Sequence, residues 1–277
     1  MINIVYCGNE KVIDGIYISS LSIVKYLKEA VTFYVLTMDL TDVNPKFTAI
    51  TDKQISFLNE DIKKYNPAAK FVKYDVKNLF ITLLHDNLAK NNSYTPYALI
   101  RLLLDKIEIL PSKVLYLDTD TVANKNIKEL YDISLENLEG AAAVDYIGKF
   151  WMRWMKKNYF NSGVMLYNLD VIRETKMFSK CRNYVLTRHR IMLDQDALNT
   201  HMKKLVLLDS KYNRQNGYSK DCVIQHFSKR LRYFPYIRAV NIKPWDVSLV
   251  HSSLKIFEFD DILNIYLNNK DELHKKS

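Results

Sequence analysis

Residues 113–123 read KVLYLDTDTVA. Val114, Leu115, Tyr116 and Leu117 make a short apolar run of the kind that forms a buried strand, and the run stops at two carboxylates, Asp118 and Asp120. At strand spacing, residues i and i+2 point the same way. Two carboxylates on one side of a strand end repel each other unless something positive lies between them, and a divalent cation carrying a phosphate is the usual occupant. The plainer alternative is a turn begun by Asp118, with Asp120 solvated beyond the strand.

Outward from this stretch the chain alternates. Residues 3–7 are a strand, residues 17–29 carry Leu21, Val24 and Leu27 at near-helical spacing, and residues 31–38 are a second strand. Thr51 or Asp52 caps a helix with Ile55, Leu58 and Ile62 on its apolar face, and residues 70–76 form a third strand. Residues 96–109 read as a helix through Leu99, Leu102, Leu103 and Ile107, and Pro111 breaks it before the strand that ends at Asp118. Strands alternating with helices predict an α/β fold with a mostly parallel sheet. Ligands of such sheets sit beyond the carboxyl ends of the strands, where the two aspartates lie. No repeat or Gly/Ser linker divides the chain, so one domain with a C-terminal extension is expected.

Composition narrows the function. The chain has 277 residues, 48% of them apolar, and only six glycines and six prolines, which fits a full core and excludes collagen-like or linker-rich classes. Cys7, Cys181 and Cys222 are far apart and in no metal-ligand spacing, so they read as reduced core thiols. The start, MINIVYCGNE, lacks the basic region of a signal peptide, and no apolar run approaches the ~18 residues of a membrane span. A cytoplasmic location is expected. The net charge of +9 fits a phosphate-bearing substrate, an anionic membrane surface or nucleic acid, or is a solvated face. Basic residues are dense at 149–157 and 229–238, where Trp151, Trp154, Tyr233, Phe234 and Tyr236 interleave. That mixture suits a membrane interface or a single strand of nucleic acid. No helix-turn-helix, RNA-recognition signature or zinc spacing supports nucleic acid.

Four further groups lie downstream. GAAAVD at 140–145 is a strand of small residues that something must approach closely. YFNSGVMLYNL at 159–169 places Asn161, Ser162 and Gly163 just before an apolar strand, and LDQDALN puts Asp194, Gln195 and Asp196 at the start of a helix. His226 stands in IQHF, and Lys243, Pro244 and Trp245 in IKPW. Each has an ordinary alternative: a turn, an N-cap, a core histidine, a lysine before a rigid proline.

Together and in this order, LYLDTD, FNSGVMLYNL, DQDALN and the HF…KPW pair resemble glycosyltransferase family 8, from Asn3 to about Trp245. The resemblance implies a GT-A fold over residues 1–245, a Rossmann-like, mostly parallel sheet flanked by helices, with residues 246–277 as a C-terminal helical extension. It also implies a retaining transferase, a UDP-sugar donor, and a manganese ion, or magnesium in its place.

The family pattern assigns roles. Cys7 and Asn9 stand where the first strand meets uracil and ribose, and Arg101 where a basic residue faces the donor. Asp118 faces ribose and metal, and Asp120 the metal. Asn161, Asp194 and Gln195 line the donor sugar, with Asp194 and Gln195 the catalytic pair. Lys243 holds the β-phosphate. His226 is the expected third metal ligand, with His251 as its substitute, because here His226 precedes Lys243 by seventeen residues whereas the family spaces the pair closely. Asn9 replaces an acidic family residue and Val12 a frequent aromatic. His85, His189 and His201 are expected to be structural or surface residues.

The expected function is transfer of glucose or galactose from a UDP-sugar to an oligosaccharide or lipid-linked glycan, in lipopolysaccharide, capsule or other surface-glycan synthesis. The acceptor is expected near residues 146–158 and 210–221, with the basic, aromatic segments touching the inner face of the membrane. Two other classes compete. VLYLDTDTV also fits the nucleophile motif of haloacid-dehalogenase-like phosphatases, with Asp118 attacking phosphorus and Mg²⁺ assisting. That motif closes the first strand of its domain, whereas three strands come earlier here. A non-catalytic scaffold is the other.

Overall fold

The structure, a computed structural model, describes residues 1–84, 95–146, 159–188, 193–232 and 238–275. Its centre is a seven-stranded sheet in the order β3-β2-β1-β4-β7-β6-β8. The strands are β1 (Ile2–Cys7), β2 (Val31–Thr37), β3 (Ala69–Asp75), β4 (Lys113–Leu117), β6 (Gly140–Val144), β7 (Phe160–Asn168) and β8 (Leu205–Leu208). Only β7 runs against its neighbours.

Sheet faces alternate along β4. Leu115 and Leu117 join one core with α1 (Ile13–Tyr26), α2 (Asp52–Ile62) and the C-terminal helix Asp260–Leu273, while Val114 and Tyr116 join a second core with the helix Pro96–Lys106. A strand buried on both faces must be apolar throughout, which explains the unbroken VLYL run. Thr51 caps α2: its hydroxyl accepts from the Gln54 amide, and the Gln54 side chain accepts from the Thr51 amide. The Pro96–Lys106 helix winds as a tight 3₁₀ helix and ends three residues before the expected Ile109.

Two details bear on the site. Asn161, Ser162 and Gly163, expected ahead of a strand, lie inside β7, where the pairing of Leu117 with Val164 sets Gly163 beside Asp118. The small residues of β6 serve sheet packing: a β-carbon on Gly140 would stand 2.3 Å from the Leu166 carbonyl oxygen. Beyond the sheet, β5 (Thr121–Ala123) pairs antiparallel with β9 (Ile224–His226), and β10 (Arg230–Arg232) with β11 (Arg238–Val240). Residues 151–157 and 233–237, His85 and His189 fall outside the described residues. His201 packs edge-on against Tyr184. The three cysteines are free thiols, and among the described residues no helix is long and apolar enough to cross a membrane.

Candidate active site

The carboxyl ends of β1 and β4 are adjacent, and the residues after them build the site. Asp118 is fixed from two sides. Its amide donates to the Gly163 carbonyl at 2.7 Å, and its Oδ1 accepts from Arg101 Nη2 at 2.7 Å and Tyr116 Oη at 2.8 Å. Oδ2 therefore remains for other work. Asp120 follows in the turn before β5. Register then delivers the histidine: Thr121 faces His226 across β5 and β9, and the Phe227 amide donates to the Asp120 carbonyl at 2.9 Å. The His226 ring lies with Nε2 3.2 Å from Asp120 Oδ1 and 3.7 Å from Asp118 Oδ2.

One ligand atom from each of Asp118, Asp120 and His226 falls within 4.8 Å of the others. Two carboxylates and an imidazole suit a divalent cation, and manganese by ligand type. The fit is also steric. A β-carbon on Gly163 would stand 2.2 Å from His226 Cε1 and 2.8 Å from Asp118 Oδ2, so only glycine leaves room for the trio. Among the described residues no other such group of His, Cys, Asp and Glu occurs.

Lys243 reaches the same point from the C-terminal side, with Nζ 2.5 Å from Asp120 Oδ2. Burial would raise the Asp120 carboxyl, but His226 and Lys243 override it and hold that carboxyl well below the usual range. Burial likewise opposes the charged form of His226, and Asp120 and Asp118 reverse this and push the imidazole up. His251 does not belong here. Its Nε2 pairs with Asp260 Oδ1 at 2.6 Å and its ring stacks on Phe257, because the chain has turned away past Trp245 toward the C-terminal helix.

Behind the metal-ligand trio, Arg101 is the hub. The side chain is 7% exposed; Nη1 donates to the Ser162 carbonyl at 2.8 Å, and Nε lies 3.1 Å from Asp194 Oδ2. Its guanidinium rests on the Tyr116 ring, 4.4 Å from the centroid. Arg101 therefore braces Asp118 and Asp194 from within. Burial raises the Asp194 carboxyl despite that partner.

Gln195, on the helix Leu193–His201, is held as tightly. Its Oε1 accepts from the Ser162 amide at 3.1 Å, from Ser162 Oγ at 3.3 Å and from Asn161 Nδ2 at 3.4 Å. Its Nε2 donates to Asp145 Oδ2 at 3.3 Å, an oxygen that also accepts from Asn161 Nδ2 at 2.9 Å. Cys7 ends β1 and Asn9 follows it on the same edge; burial pushes the Cys7 thiol up, and Asn9 Nδ2 donates to the Lys46 carbonyl at 3.4 Å. A cavity of about 260 Å³ opens beside this group, lined by Asp145, Tyr146, Ser210, Asn213, Arg214 and Gln215 among others.

The structure thus brings Cys7, Asn9, Arg101, Asp118, Asp120, Asn161, Asp194, Gln195, His226 and Lys243 to one edge of the sheet. It adds Asp145 and Asn213, which sequence reading missed as site residues. Asp145 follows β6, and GAAAVD reads in the sequence only as a strand of small residues that something must approach closely; Asn213 lies in no motif, within the segment 210–221 expected near the acceptor.

The family model described as glycosyl transferase family 8 matches residues 3–248. The chain belongs to glycosyltransferase family 8. A putative glycosyltransferase of Haemophilus influenzae is 27% identical over 224 residues, 76% of this chain and 62% of its own length. Glycosyltransferase GlyB of Streptococcus pneumoniae is 22% identical, over 94% of this chain and again 62% of its own. The chain thus spans about three-fifths of the length of these curated relatives. Galactosyltransferase LgtC, solved with donor and acceptor sugar analogues, superposes with a TM-score of 0.67 at 16% identity, covering 100% of this chain and 98% of its own. That likeness is one of fold, and the fold is GT-A. Family 8 membership sets the phosphatase alternative aside. The topology agrees: β1, β2 and β3 precede the strand that ends at Asp118, whereas the phosphatase motif closes the first strand of its domain.

Proposed function

We propose that this family 8 transferase moves a hexose, glucose or galactose, from a UDP-sugar to a hydroxyl of a glycan acceptor with retention at the anomeric carbon. The observation that carries the reading is the convergence of Asp118, Asp120 and His226, with Lys243 on the outer side of Asp120. Asp118, Asp120 and His226 would hold a divalent cation, manganese by ligand type, which when bound would offset the charge of the donor's phosphates and of departing UDP.

The chain's own residues do the rest. Lys243 is held at Asp120 and is placed to exchange that partner for a phosphate oxygen. Cys7 and Asn9 flank the nucleoside end. Asp145, Asn161, Asp194 and Gln195 form the sugar end, where a carboxylate binds hydroxyls strongly. Gln195 supports developing positive charge without being trapped as an adduct, and its amide is already oriented by Ser162, Asn161 and Asp145. The acceptor enters at the cavity beside Asp145 and Tyr146. The product belongs to a bacterial surface glycan, lipopolysaccharide or capsule, made at the cytoplasmic face of the membrane. The basic, aromatic segments supply the peripheral membrane contact.

UDP release from a panel of UDP-sugars, with and without Mn²⁺, tests the reading in the wild type and Asp120→Asn. One UDP-hexose turned over only with metal, and not by the variant, is the expected result. Failure both to turn over any UDP-sugar and to bind UDP with Mn²⁺ overturns it.

A further inference from the structure

Asn213 ends the turn Ser210–Tyr212 and is 1% exposed. Its side chain links two parts of the site that the motifs leave separate: Nδ2 donates to Asn161 Oδ1 at 2.9 Å, and Oδ1 lies 3.0 Å from His226 Nδ1.

The direction of this chain of amides is set by one backbone group. The Gly163 N–H can only donate, and it meets Asn161 Oδ1 at 2.9 Å. That contact fixes the Asn161 amide, whose Nδ2 then donates to Asp145 Oδ2 at 2.9 Å. An atom 2.9 Å from Asn161 Oδ1 must be a donor and not a second oxygen, so Asn213 presents its NH₂ on that side and its carbonyl oxygen to His226. An oxygen without a proton must be met by one, so Nδ1 carries the ring hydrogen. Nε2, which faces Asp118 and Asp120, is then the nitrogen left to give its lone pair to a cation. Reversing the Asn213 amide would set oxygen against oxygen at Asn161 and NH₂ against the ring, and would move the ring proton to Nε2.

From this geometry we infer that Asn213 is a positioning residue that holds His226 in the Nδ1–H tautomer, with Nε2 bare for a divalent cation, and couples that ligand to Asn161, Asp145 and Gln195. The inference rests on the metal-dependent reading above. A hydrogen bond to the remote nitrogen of a ligating histidine fixes the ring and raises its basicity, and losing it lowers metal affinity by about 10–100-fold.

Mn²⁺ affinity is to be measured by electron paramagnetic resonance of the free ion for the wild type, Asn213→Leu and Asn213→Asp, with thermal midpoints alongside. Asn213→Leu, which offers the ring no acceptor, is expected to bind about 10–100-fold more weakly. Asn213→Asp keeps the acceptor and is expected to retain wild-type affinity, while its second oxygen opposes Asn161 and slows UDP-sugar turnover. Wild-type affinity in a folded Asn213→Leu overturns the inference, as does equal loss in both variants at unchanged midpoints. A measurement on the wild type covers failure of a variant to fold: with histidine ¹⁵N-labelled and Mg²⁺ bound, His226 shows the Nδ1–H signature, and an Nε2–H signature overturns the inference. Absence of any divalent-cation binding by the wild type overturns the functional reading itself, and the inference falls with it. Wild-type binding with an unaffected Asn213→Leu overturns the inference alone.

Discussion

Gly163 and His226 are packed so closely that a β-carbon on the glycine would stand 2.2 Å from the imidazole Cε1. The glycine lies in the middle of β7, and nothing in its strand conformation asks for glycine; the requirement comes from the histidine. Gly163→Ala is therefore expected to displace His226 from the aspartates and reduce turnover by about 10²-fold, the scale of an ångström-sized misplacement. Circular dichroism and kcat/KM check it: a folded variant with wild-type turnover would contradict the packing argument.

Arg101→Met removes the guanidinium that Asp118 and Asp194 share. Breaking a buried pair from one side leaves charge uncompensated and costs about 3–5 kcal/mol. Urea unfolding is expected to show this loss, together with a collapse of donor turnover. Arg101→Lys is expected to rescue little, because an ammonium cannot serve the Ser162 carbonyl and both carboxylates in one plane.

Arg182→Met provides the contrast. Arg182 pairs with Asp105 through two nitrogens, at 2.6 and 3.1 Å, on the buried side of the helix Met177–Thr187 and away from Asp118 and Asp120. Its loss is expected to lower stability by a similar ~3–5 kcal/mol while leaving turnover per folded molecule at the wild-type level. Activity normalised to folded protein below the melting transition is the measurement.

Cation binding should register in stability. A ligand that binds only the folded chain adds about 2.7 kcal/mol at a hundred times its Kd. Mn²⁺ is expected to raise the thermal midpoint of the wild type, EDTA to reverse it, and Asp120→Asn to be insensitive to both.

Sequence pattern made the sheet legible wherever a strand is buried on both faces. The runs at β1, β2 and β4 could be read because parallel strands under two helical layers must be apolar throughout. The Asp-x-Asp pair was legible from spacing, and His226 from its neighbour Phe227. What places His226 is the pairing of β5 with β9, a long-range register that no local pattern records. Gly163 reads in the sequence only as lying just before an apolar strand, since its steric role depends on a residue far along the chain. Asn213 fell only within the segment 210–221 expected near the acceptor: an asparagine after a short turn is ordinary, and its place beside His226 depends on side chains meeting from distant parts of the chain. Arg101 was expected to face the donor, and most of its donors instead serve Asp118, Asp194 and Ser162.

The pairing of Lys243 with Asp120, 123 residues apart, has a consequence for how the molecule assembles. All seven strands of the central sheet are complete by Leu208, before the segment that carries Asn213, His226 and Lys243. Until that segment docks, Asp120 stands at the strand end without either of its cationic partners. Docking is then drawn by opposite charge as well as by apolar burial, and salt weakens that attraction. A chain cut off after Leu208 would therefore keep every strand of the sheet and lose both cationic partners of Asp120.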